Sequence, residues 1–106
     1  MAVIAVLTNL PDSESAFNLA RDIVHLRLAA CANVLAPVTS FYRWEGAEER
    51  AVEHPVLIKT TRERYDELEA AILARHPYDL PEIVAWPIER GAGAYLDWVR
   101  AETRAR

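Results

Sequence analysis

The groups in this chain that could hold a metal or move a proton are few. They are three histidines, one cysteine and a pair of acids beside proline. His76 opens the segment His76-Pro77-Tyr78-Asp79-Leu80-Pro81-Glu82. Its imidazole suits copper or another transition-metal ion. His25 and His54 stand far from it in sequence, so a metal site at His76 needs ligands from other segments or another subunit. The alternative places His76 at a helix C-terminus, where the dipole favours a cation. Cys31 is the second candidate metal ligand, because a soft thiolate suits Cu(I). Its alternative is that of most free cysteines, a small buried hydrophobe.

Asp79 and Glu82 have the types needed for general acid–base work. They flank Pro81 with no nucleophile nearby, and Asp79-Leu80-Pro81 is better explained as a turn. The chain has no G-x-S-x-G, no H-E-x-x-H and no P-loop. No reaction is assigned, and an enzyme is not expected. Lys59 lies between Ile58 and Thr60 in an apolar run, so it must reach solvent or find a partner. With Tyr42, Arg43, Trp44, Tyr78 and Glu82 it could line a pocket between subunits for a small anionic ligand. The competing account is an ion pair from Lys59 to Glu82 or Glu89, packed by the aromatics.

The elements that must position these groups follow from periodicity. Residues 2–8 are a β-branched run ended by Asn9 and Pro11, the pattern of a buried strand. Ala16, Leu19, Ala20, Ile23, Val24 and Leu28 then follow helical spacing, with Asp12 or Ser13 as cap. Residues 31–45 predict a long strand broken by Pro37, and Gly46 opens a charged turn region through His54. Residues 56–60 form the next strand. Thr60 and Glu63 match a capping box for a helix over 62–75, which Pro77 stops. Residues 82–88 form a last strand and 94–103 a short helix.

That order, β-α-β-β-α-β plus a C-terminal helix, predicts an α+β, ferredoxin-like fold. Its antiparallel sheet carries both main helices on one face. One short extra helix cannot cover the other face, so a partner subunit is expected. A length of 106 residues fits one domain, spanning 1–106. The net charge of −4 argues against nucleic-acid binding. A single cysteine excludes an internal disulfide and fits a reducing compartment. The apolar N-terminus has no basic flank, and nothing approaches a membrane span, so a cytoplasmic protein is expected.

The segments LAACANV, SFYRWEG, LIKTTRERYDELEAAI, HPYDLPEIVAWPI and YLDWV resemble, in order and spacing, the CutA divalent-cation-tolerance family. The resemblance spans nearly the whole chain. It implies a homotrimer built through long hairpins, a role in tolerance to divalent metals, and binding of copper or another divalent cation, with no organic cofactor. The chain departs from the family pattern in having Pro55 where an aliphatic residue is usual, which predicts a shortened hairpin. It has Thr8 and Arg75 where some members carry a cysteine and a histidine tied to proposed metal sites. By analogy with the trimeric signal-transduction PII proteins, which share the subunit fold, the alternative is a regulatory trimer binding an anion between subunits.

Overall fold

A computed structural model describes residues 1–105. Strand β1 (Val3–Leu10) leads into helix α1 (Ser13–His25). Strands β2 (Cys31–Val34), β3 (Val38–Trp44) and β4 (Ala47–Thr61) follow. A 3-10 turn, Arg62–Arg64, runs into α2 (Tyr65–Arg75), and β5 (Ile83–Pro87) and α3 (Gly93–Glu102) complete the order. The sheet order is β2-β4-β1-β5, with β3 also paired to β4, and every pairing is antiparallel. This is the expected ferredoxin-like arrangement.

Helix α1 starts where Asp12 Oδ1 accepts the Ser15 N–H at 2.7 Å, a side-chain cap. Ala16, Leu19, Ala20 and Ile23 form its buried face. It stops at Arg27, whose φ of 61° is left-handed. There Leu28 N–H bonds the Ile23 carbonyl and Arg27 N–H the Val24 carbonyl, both at 3.0 Å. This is a Schellman ending. The buried face meets Ile4, Val6, Leu10, Val56 and Ile58 from the sheet and Leu68 and Ile72 from α2, so the core lies between both helices and one sheet face.

The other face is only partly covered. Strand alternation puts Val3 there, where it packs with Ala30 and Val99 of α3. Further along, Leu57, Leu7 and Val84 sit side by side by register. The first two are half-buried and Val84 is 45% exposed.

Three expectations change. Residues 47–54 are not a turn region: they form the first half of a 15-residue β4 paired with β3. The loop is only Glu45-Gly46, both at positive φ (51° and 81°), as a two-residue hairpin turn of this hand requires. Pro55 does not shorten the pairing. It marks the point where β4 passes from β3 to β2. Its carbonyl accepts the Leu35 N–H at 2.9 Å, so its missing donor points towards the break between those strands, where no ladder partner stands. The capping box does not form. Thr60 is buried and its hydroxyl donates to the Leu28 carbonyl at 2.7 Å, so the turn at Arg62 starts without a side-chain cap.

Candidate functional site

Pro77 forces His76 out of the helix, and its backbone is extended at φ −78°, ψ 133°. The ring then lies on the end of β1. Nε2–H donates to the Asn9 carbonyl at 2.7 Å, and Nδ1 accepts the Tyr78 N–H at 3.2 Å. Those two partners select the neutral tautomer protonated on Nε2. Burial lowers the His76 pKa from 6.5, opposed by the Asn9 bond and by the charge of Glu53. A metal at Nδ1 must displace the Tyr78 amide.

The loop after His76 is tied down twice more. Tyr78 donates its hydroxyl to Glu53 Oε2 at 3.1 Å, and Asn9 Nδ2–H donates to Glu82 Oε1 at 3.2 Å. Burial first, then the bond to Glu53, pushes the Tyr78 pKa up to about 12. Between this loop and the β3–β4 hairpin lies a cleft of about 590 Å3. The hairpin lines it with Ser40, Tyr42 and Trp44, and the loop with Tyr78, Asp79 and Glu82. Glu53 adds a third carboxylate, and Arg43, paired to Glu48 at 3.2 Å, is the cation on its wall. A cleft with aromatic walls and several carboxylates suits a cation.

Five of the six residues singled out for a pocket, Tyr42, Arg43, Trp44, Tyr78 and Glu82, therefore come together. Lys59 does not join them. Its Nζ donates to Asn33 Oδ1 at 2.8 Å across the β2–β4 pair, rather than to Glu82 or Glu89. Cys31 lies directly opposite Lys59, and its Sγ is 3.4 Å from the Tyr95 hydroxyl of α3. That contact, ahead of burial, pushes the Tyr95 pKa up to about 12.

Cys31 and His76 are not neighbours. Through Lys59 the first is level with Ala5 on β1, and the second bonds Asn9, four residues or about 13 Å along the strand. Among the described residues, no three His, Cys, Asp or Glu side chains are grouped so as to hold a metal ion. Thr8 is fully buried with its hydroxyl unpartnered, and Arg75 bonds the Ala71 carbonyl at 3.1 Å.

Sequence reasoning missed Asn9, Asn33 and Glu53. Asn9 looked like a strand terminator. Glu53 fell inside the supposed turn, a charged stretch without the apolar–polar alternation that marks a half-buried strand.

Comparison with known proteins agrees with this fold. Residues 4–102 match the family model described as CutA1 divalent ion tolerance protein. The "Divalent-cation tolerance protein CutA" of Thermus thermophilus is 44% identical, covering 92% of this chain and 95% of that protein. "Protein CutA, chloroplastic" of Arabidopsis thaliana is 38% identical over 95% of this chain, which spans 56% of that longer protein. The crystal structure of CutA1 from Oryza sativa superposes with a TM-score of 0.96 at 36% identity, covering 100% of this chain and 97% of that one.

Proposed function

The chain belongs to the CutA1 divalent ion tolerance family, and from that premise we propose that it acts as a metal-binding homotrimer. In this reading it binds copper or another divalent cation and catalyses no reaction. The observation that carries the assembly is the hairpin. β3 pairs with β4 alone, and the ribbon exposes Phe41, Tyr42, Trp44 and Val52. A two-stranded ribbon is marginal in water by itself, and apolar surface grouped in this way marks an interface. The half-covered sheet face around Leu7, Leu57 and Val84 supports the same reading. Light scattering at micromolar concentration should give three times the 12.0 kDa chain mass, and a monomer overturns the trimer.

His76 and Cys31 remain the proposed copper ligands by donor chemistry. Their separation within one subunit means that a site using both draws them from different subunits. Copper titration of the wild type, His76→Ala and Cys31→Ser tests this. Equal, weak binding by all three sinks binding through these residues. The acidic cleft favours a cation over the anionic ligand of the regulatory alternative, and Lys59 stands outside it. A nucleotide-induced thermal shift that Lys59→Ala abolishes would restore that alternative.

No helix among the described residues is long and apolar enough to cross a membrane. The Arabidopsis relative is named as chloroplastic. A cytoplasmic place for this chain is therefore proposed from its own sequence, and fractionation tests it.

A further inference from the structure

The cleft between the hairpin and the loop after His76 is not built for a single metal ion. Such an ion needs several donor atoms converging within about 2–2.6 Å of one point. Among the described residues, no three His, Cys, Asp or Glu side chains are grouped in that way. The cleft volume of about 590 Å3 is instead that of a small-molecule site.

Its walls are aromatic. Ser40, Tyr42 and Trp44 alternate along β3, so they share one face of the ribbon, and all three line the cleft. Tyr42 is 45% exposed and Trp44 41%. The facing loop supplies the ring of Tyr78. Its hydroxyl donates to Glu53 Oε2 at 3.1 Å and its amide to His76 Nδ1 at 3.2 Å, so the ring is held in place from both ends.

The carboxylates are spread around these rings. Glu53 stands on the ribbon side, and the exposed Asp79 and Glu82 stand on the loop side. The bonds from Tyr78 to Glu53 and from Asn9 to Glu82 each use one oxygen of the carboxylate. Arg43 is turned to Glu48 on the other face of the ribbon, so it does not neutralise them. Phe41 and Val52 also lie on that other face. The assembly proposed above can therefore bury them without filling the cleft.

We propose that this cleft binds an aliphatic polyamine, with ammonium groups spaced along an alkyl chain. An ammonium over an aromatic face is attracted to its negative π cloud. Its N–H groups donate charge-assisted hydrogen bonds to carboxylates. Spaced ammonium groups reach Glu53 on one wall and Asp79 or Glu82 on the other, while the methylene spacers lie along Tyr42 and Trp44. The site uses neither His76 nor Cys31 as a ligand, so it stands or falls apart from copper binding through them.

The test is calorimetric titration of the full chain with spermidine, and in parallel with magnesium chloride, at constant ionic strength. The wild type should bind spermidine saturably and magnesium at least tenfold more weakly, because a hydrated metal ion gains little from the rings. Glu53→Gln removes one charge and keeps an oxygen to accept from Tyr78, and Trp44→Ala removes one exposed ring, so both should fold and melt close to wild type without ligand. Each should weaken spermidine binding about tenfold or more. Trp44→Phe keeps a smaller ring and should fall between Trp44→Ala and the wild type. Absence of saturable spermidine binding, variants that bind as the wild type does, or magnesium binding as tight as that of spermidine overturns the proposal.

Discussion

His76 fastens the end of α2 to the end of β1 through both ring nitrogens. The sequence showed that Pro77 would end the helix there, but it could not show where the ring would point. The Asn9 carbonyl that receives the ring is 67 residues away. A consequence for stability follows from its pKa, which folding lowers from 6.5, chiefly by burial. The unfolded chain then binds more protons between the folded value and 6.5, so stability is full above about pH 6.5 and falls as pH drops through the folded pKa. Urea unfolding at stepped pH should show this loss in the wild type. His76→Gln should flatten it, at a cost near pH 7.5 of about 1 kcal/mol for the bond lost at Nδ1. A wild type and variant with the same acid-side slope would remove His76 from the account. Cys31 and Tyr95 make a second pair that only the fold brings together. Replacing Cys31 by alanine removes the leading cause of the raised Tyr95 pKa of about 12, so its ionisation should move back towards 10. Tyrosinate absorbance during alkaline titration measures this, and an unmoved titration contradicts the coupling.

Elements were legible where one side was apolar. β1, α1 and the buried half of β4 announced themselves because Val6, Ile23 and Ile58 repeat at the period of their element and end in the core. The other half of β4 did not. Residues 47–53 are mostly exposed on both sides of a ribbon, so Glu48, Glu49 and Arg50 leave no apolar alternation to detect. The start of α2 was obscured differently. Thr60 and Glu63 have the spacing of a cap, but the Leu28 carbonyl claims the Thr60 hydroxyl inside the core. The hairpin loop carries its own test. Glu45 holds φ 51° without the local hydrogen bonding that makes asparagine tolerant of that region. Glu45→Asn converts the loop to Asn-Gly, the preferred pair for such a turn, and should stabilise the protein by about 0.5–1 kcal/mol in chemical denaturation. A destabilised variant would mean that the Glu45 side chain has a role outside the turn.

At the scale of the whole molecule, the helices cover one sheet face and α3 covers only a corner of the other. The sequence indicated that shortfall by counting helices against sheet faces, and it indicated the surplus of aromatics. It did not show which residues would be left uncovered, because that depends on where α3 docks against Val3 and Ala30. Register now identifies the row Leu57, Leu7 and Val84 as the uncovered centre. In a lone subunit Val84 is 45% exposed, and a surface substitution there should change stability by within about 0.5 kcal/mol. In a trimer closed over this face, Val84→Glu buries a carboxylate without a partner at each copy, which is costly. The two cases separate cleanly. If the face is an interface, the wild-type melting temperature rises with protein concentration, because association stabilises the folded subunit by mass action. Val84→Glu should then scatter as a 12.0 kDa chain and melt lower, at a temperature that no longer depends on concentration. If Val84→Glu keeps the wild-type mass and melting behaviour, this face is solvent-exposed in the working protein, and any trimer must be held by the hairpins alone.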